Sequence, residues 1–182
     1  HKILVYFSTC ATVEYLAKAL QGTEQTTGVP ILGLHGKMVH KRRTKTYERF
    51  KTVSHACLLC TDVAARGLDM PDIDWVVQFD PPNDPAALVH RCGRTARIGR
   101  KGEAVLFLHE KEESFIDFIR KRDVPLHLME TPVCKDIMPT VHQIQSKERD
   151  VFEKGQNAFV STVRAYKEHQ CPLIFRFKDL DL

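Results

Sequence analysis

Ala56-Cys57-Leu58-Leu59-Cys60-Thr61-Asp62 is an unbroken apolar run that stops on a hydroxyl and a carboxylate. Five residues without polar alternation describe a strand buried on both faces, as in a parallel sheet covered by helices. The same grammar recurs along the chain. Residues 3–7 end at Ser8-Thr9, residues 30–34 at His35-Gly36, and residues 75–79 at Asp80-Pro81-Pro82; residues 104–108 form a fifth run. Between them lie stretches of helical character: 13–20, the highly charged 41–51 and the amphipathic 112–122. Asp84-Pro85 reads as an N-cap followed by proline at the first helical position, opening a helix through Val89-His90. Strands alternating with helices across short loops predict an α/β fold, a parallel sheet sandwiched between helices. Ligands bind such sheets beyond the carboxyl ends of the strands, where the polar signatures sit.

After about residue 131 the texture changes. Pro132, Pro139, Gly155 and mixed polar residues read as irregular chain, followed by a helix at 158–169 and an apolar run at 173–177. The expected organisation is one domain over residues 1–130 and a small, mostly helical appendage over 131–182 packed upon it. A length of 182 residues accommodates this, and 43% hydrophobic with 27% charged residues is ordinary globular composition. His1 in place of Met marks the chain as an excised fragment, so the absence of a signal peptide says little. No apolar run approaches the roughly 20 residues of a membrane span, so no membrane partner is expected.

Net charge is only +4, but the cations are gathered. Lys37, Lys41, Arg42, Arg43 and Lys45 form one cluster; Arg91, Arg94, Arg97, Arg100 and Lys101 form another. Two clusters suit a polyanionic partner, although a solvated helix face explains the first equally well. The six cysteines show no secreted-framework spacing. Cys57 and Cys60 lie three apart in a strand, which points their sulfurs to opposite faces, and they read as reduced thiols rather than a metal or redox pair. His40, His109 and His127 fit no metal-ligand spacing. Trp75 at a strand start reads as a packing residue rather than a base-stacking one.

The richest stretch is His90-Arg91-Cys92-Gly93-Arg94-Thr95-Ala96-Arg97-Ile98-Gly99-Arg100-Lys101-Gly102. It can face a polyphosphate but carries no carboxylate to hold a metal, and no phosphate-cradling Gly-rich loop ending in Lys-Ser or Lys-Thr occurs in the chain. It therefore reads as half of an active site. A planar, always-charged guanidinium can stabilise transferring phosphoryl oxygens, and Arg94 and Arg97 have that character, with Gly93 and Gly99 letting the backbone bend between the cations. For a lone arginine a solvated basic turn would be the better reading; the pattern reverses that. In Thr61–Asp69 the hydroxyl and the backbone N–H groups at a strand end suit a nucleic-acid phosphate, and Asp69 could accept from a ribose hydroxyl. Asp62 and Asp69 read equally well as capping or turn residues.

Taken together, these segments resemble, in order and spacing, the second RecA-like lobe of superfamily 2 helicases, and specifically of DEAD-box RNA helicases. The resemblance covers roughly residues 1–130 and rests on Leu4 to Thr9, His35-Gly36 through Arg43, Thr61 to Asp69 and the HRxGRTxR form of His90 to Arg97. It implies a RecA-like parallel sheet. It implies that Arg94 and Arg97 contact the ATP γ-phosphate, with Arg97 as the arginine finger, that Asp69 lies near the ribose hydroxyl and that Gly67 lies beside the nucleotide. Thr9, Gly36, Arg43, Thr61 and Arg66 would lie along the RNA path, and His90 and Arg91 would couple the nucleotide site to the other lobe. ATP with Mg2+ is the implied ligand, its metal ligands and phosphate loop coming from an N-terminal RecA-like lobe. Two departures stand out: His40 occupies a position where the family usually carries glutamine, and Ala96 replaces a common glycine, leaving less backbone freedom. Residues 158–167 and 173–177 resemble the extension of a ribosome-biogenesis subset of the family. That implies a nuclear, largely nucleolar, protein acting on precursors of the large ribosomal subunit, with pre-ribosomal RNA and pre-ribosomal proteins as partners.

The expected function is the second lobe of an ATP-dependent RNA helicase, inactive as a fragment. A non-catalytic RNA-binding scaffold is the alternative, opposed by the intact Arg94, Arg97 and Asp69. A double-strand DNA translocase fits the arginine segment less well, and only RNA offers a 2′-hydroxyl to tell the two apart.

Overall fold

The structure is a computed structural model and describes residues 1–23, 28–65, 70, 73–97, 99–121, 123–130, 133–134 and 136–180. Five parallel strands, β1 (Lys2–Tyr6), β2 (Ile31–Leu34), β3 (Ala56–Cys60), β4 (Trp75–Gln78) and β5 (Glu103–Leu106), form one sheet in the order β2-β3-β1-β4-β5. All five apolar runs are strands, each shifted by at most two residues at its ends. The first begins earlier than apolarity suggests because Lys2 sends its ammonium onto the Lys51 carbonyl, 2.9 Å away, and over the Phe50 ring.

Side-chain alternation splits the sheet into two buried faces. Leu4, Tyr6, Leu32, Leu34, Leu58, Cys60 and Val76 pack on one side with Phe50, Met70 and Ile73. Val5, Phe7 and Leu59 pack on the other against Val13 and Ala17. Two covered faces are why the strands read as continuous apolar runs. Cys60 lies in the first cluster and Cys57 packs on the second, so the pair is divided as expected. Burial pushes the Cys57 thiol up to about 12 and raises Cys60 as well.

Helix α1 (Cys10–Ala19) starts at Thr9, whose hydroxyl accepts from Thr12 N at 3.0 Å. Helix α2 (His40–Thr52) carries the charged stretch, and α3 (Asp62–Ala65) is a single turn after β3. Helix α4 (Pro85–Cys92) begins as its sequence predicts, with Asp84 Oδ1 accepting from Ala87 N at 2.8 Å and proline in the first turn. The amphipathic stretch 112–122 resolves into a 3-10 turn, Glu110–Glu112, closed by a capping box with His109, and then α5 (Ser114–Arg120).

The C-terminal part is more helical than its composition suggests. Helix α6 (Met138–Lys147) uses Pro139 in its first turn, where the missing N–H costs nothing. Helix α7 (Arg149–Lys167) begins nine residues before the predicted 158. Its polar first half was unreadable as a helix because its partners lie far upstream. In that half Lys154 approaches Glu14 at 3.5 Å and Gly155 faces the Tyr15 ring; farther along α7 Thr162 shares a 2.9 Å hydrogen bond with Thr12, and on α6 Gln145 donates to the Tyr15 hydroxyl at 2.8 Å. The run 173–177 is not a strand: it turns through residues 173–175 and Phe177 opens a 3-10 turn, Phe177–Asp179. It buries Phe175 beside Phe115, Leu88 and Ile119, with His169 stacked 3.9 Å from the Phe175 ring centroid.

Candidate functional site

The carboxyl ends of β1, β3 and β4 meet around Arg91, which is only 2% exposed. Its Nε donates to Asp62 Oδ1 at 2.8 Å and its Nη2 to Asp62 Oδ2 at 2.7 Å, while Nη1 donates to the Asp80 carbonyl at 2.8 Å. The guanidinium carbon lies 4.9 Å from the Tyr6 ring centroid. Asp80 in turn accepts from Ser8 N at 2.7 Å. Burial pushes the Asp80 carboxyl up, opposed by the Ser8 hydrogen bonds and by Arg91. Burial also raises the Tyr6 phenol. One buried cation therefore fastens three strand ends to α4.

The segment after α4 is held just as firmly. Thr95 is buried, and its hydroxyl donates to the Ile73 carbonyl, two residues before β4. A Cβ on Gly102 would fall 1.9 Å from Thr95 Oγ1 and 2.7 Å from Ala96 N, so glycine is required there for the loop to close. Ala96 has φ +55°, a left-handed conformation that glycine takes more cheaply. Gly99 uses its freedom at φ +74°. Gly93 does not: its φ is −66°, and the bend between the cations falls at Ala96 and Gly99 instead. On this pinned loop Arg94 is half-buried in a small cleft with Tyr6, Asp62, His90 and Arg91. Arg97 is exposed, with Nε donating to the Gly93 carbonyl at 2.7 Å.

Of the other residues expected in the site, Thr61 is buried, with an Oγ1 that meets no hydrogen-bond partner among the described residues. Gly36 is exposed and faces Val63 of α3, which brings the β2 and β3 loops side by side. Thr9 is half-buried with its hydroxyl engaged in capping α1, and Arg43 is half-buried on α2. His90 is exposed, whereas Arg91 is not. Arg66, Gly67 and Asp69 lie outside the described residues. Among the described residues no group of three or more His, Cys, Asp or Glu side chains could hold a metal.

Sequence reasoning missed the roles of Asp62 and Asp80 as partners of Arg91. A carboxylate after a strand is a legible signal, but the cation it meets lies 29 residues away.

The family model described as "Helicase conserved C-terminal domain" matches residues 1–99. A second, "ATP-dependent rRNA helicase SPB4-like, C-terminal extension", matches residues 148–182. The chain is 50% identical to the "ATP-dependent RNA helicase DDX55" of Homo sapiens, over 99% of this chain and 30% of that protein. It thus spans less than a third of that relative's length. Among solved structures, "Mss116p DEAD-box helicase domain 2 bound to an RNA duplex" is similar over 97% of this chain and 67% of that one, with TM-score 0.76 and 28% identity. The E. coli DEAD-box protein SrmB, bound to regulator of ribonuclease activity A, is 30% identical over 74% of this chain and 82% of its own, with TM-score 0.58.

Proposed function

Because this chain belongs to the DEAD-box RNA helicases, as their C-terminal RecA-like lobe, we propose that it supplies half of an ATP-driven RNA-remodelling site. One observation carries this reading. Arg91 is neutralised by Asp62, whereas Arg94 and Arg97, on the same pinned loop, meet no carboxylate among the described residues. Two unneutralised guanidinium groups on a rigid loop beside a cleft fit the triphosphate of a nucleotide. Arg94 binds phosphate there, and Arg97 stabilises the charge on the transferring phosphoryl group. Gly67 and Asp69 complete the contact with the nucleotide. The phosphate loop and the ligands for Mg2+ come from the N-terminal lobe.

RNA runs across the neighbouring strand ends, over Thr9, Gly36, Arg43, Thr61 and Arg66, with phosphate contacts that position it without reading bases. Both ligands bridge the two lobes, and hydrolysis reopens them. Exposed His90 couples to the other lobe by contact, while buried Arg91 couples through Asp62 and Asp80. The rRNA helicase named in the description of the second family match supports a ribosomal RNA substrate, with pre-ribosomal RNA and proteins as partners in the nucleolus.

The test is RNA-stimulated ATP hydrolysis. The chain alone is expected to show none, and the chain joined to an N-terminal lobe is expected to show it, with RNA stimulating more than DNA of the same sequence. A joined protein that binds RNA yet turns over no ATP would return the reading to a scaffold.

A further inference from the structure

A groove of about 440 Å3 opens where α1, the edge strand β2, α2 and α7 meet. Among the described residues Lys18, Arg42, Arg49 and Lys154 bring four cations to it, against the two carboxylates Glu14 and Asp150. Both carboxylates are already committed to one cation: Lys154 donates to Asp150 and lies 3.5 Å from Glu14. Lys18 is 3.6 Å from Glu148. Arg42 and Arg49 stand two turns apart on α2 with Thr46 between them, and neither meets a carboxylate among the described residues. At the end of the groove lies His35, only 8% exposed, whose Nδ1 has no hydrogen-bond partner among the described residues.

We propose that this groove binds the phosphates of an RNA segment that has left the interlobe path, with Arg42 and Arg49 as backbone contacts. The proposal rests on the reading that RNA crosses Gly36 and Arg43. His35 directly precedes Gly36 and Arg42 directly precedes Arg43, so the groove begins where that path leaves the strand ends. Guanidinium forks match phosphate geometry. Among the described residues no Phe, Tyr or Trp lines the groove and the His35 ring is buried, so the groove tracks backbone rather than bases. It makes the lobe prefer RNA long enough to run past the two-lobed cleft.

The test measures binding of the full chain to two single-stranded RNAs across a salt series. One RNA fills only the path from Thr9 to Thr61; the other continues beyond it. Each phosphate neutralised on a single strand contributes about 0.7 to the slope of log affinity against log salt. R42E/R49E is expected to lower the slope for the longer RNA by about 1.4 and its affinity by about tenfold, leaving the short RNA unchanged. R42K/R49K should restore the slope. Both arginines are exposed, so the fold should persist, and thermal unfolding checks this.

An unchanged slope for the longer RNA in R42E/R49E overturns the groove. If Arg43→Glu weakens both RNAs while R42E/R49E weakens neither, the groove alone fails; if neither variant matters, the RNA path fails with it. A Glu-rich peptide or inorganic tripolyphosphate that binds the parent chain but not R42E/R49E, with the RNA slope unchanged, assigns the groove to a protein or to a free polyphosphate and overturns the proposal.

Discussion

Arg91 and Asp62 form a two-pronged ion pair, at 2.8 Å and 2.7 Å, in which the arginine is 2% exposed and the aspartate 31%. The pair joins α4 to the end of β3, and through the Asp80 carbonyl it reaches β4 as well. It therefore sets the floor on which Arg94 stands.

Removing one partner of such a pair leaves a buried charge unmatched. Asp62→Ala is expected to destabilise the chain by about 3 kcal/mol, the low end for a buried pair, because Asp62 is partly in water. In a protein of this size that corresponds to a fall in melting temperature of about 10 °C, readable by circular dichroism. The double change to Asp62→Ala and Arg91→Met should cost clearly less than the single one, since it removes the stranded cation too.

Arg97 should behave in the opposite way. Its side chain is exposed and, among the described residues, its one hydrogen bond goes to the Gly93 carbonyl, so Arg97→Ala should leave the melting temperature within about 1 °C. In the two-lobed protein the same change should lower the rate of ATP hydrolysis by about 10³-fold or more while RNA binding persists. Hydrolysis at the parent rate would refute the finger role.

The arginine loop offers two substitutions with opposite signs. Gly102→Ala places a Cβ against Thr95 Oγ1 and should cost about 2 kcal/mol, with loss of ATP hydrolysis as the loop shifts. Ala96→Gly relieves a left-handed alanine at φ +55° and should stabilise the fold by about 0.5–1 kcal/mol. Denaturant unfolding of the two variants measures both.

Acid should loosen the C-terminal part. His169 Nδ1 accepts from Cys171 N at 3.0 Å and its Nε2 meets the Pro82 carbonyl at 3.1 Å, which together suit a neutral ring with its proton on Nε2. Burial holds its pKa below the ordinary histidine value, with the Pro82 hydrogen bond and Glu112 opposing and Arg91 reinforcing. The unfolded chain, with a histidine pKa of about 6.5, thus takes up the proton first. The stability His169 contributes is therefore present above that value and is lost as pH falls through the lower folded one. Hydrogen-exchange protection factors around residues 169–177, taken relative to the intrinsic exchange rate at each pH, should fall between pH 7 and about pH 5, and His169→Gln should flatten that dependence relative to the parent; His35, also lowered by burial, stays in both proteins.

Much of this architecture is written locally. Continuous apolar runs specify strands buried on both faces, Thr9 and Asp84 each cap a helix with their own side chains, and Pro85 starts one, because each signal acts within a few residues of itself. The arginine segment was legible for the same reason, as a density of guanidinium groups and glycines in thirteen residues.

Other features required the fold. Whether a given arginine of that segment is a structural clamp or a free cation depends on which carboxylate lies opposite it, and Asp62 meets Arg91 only once β3 and β4 flank β1. The C-terminal helices are held by α1, whose Glu14 meets Lys154 and whose Thr12 meets Thr162 on α7 while its Tyr15 meets Gln145 on α6, and the cationic groove exists only where α1, β2, α2 and α7 converge. By itself, the sequence determined the strands, the helix starts and the inventory of charge, since local burial and capping decide these. The tertiary structure decided which charges are neutralised and which remain for a ligand, since ion pairing at about 3 Å depends on contacts between residues far apart in the chain.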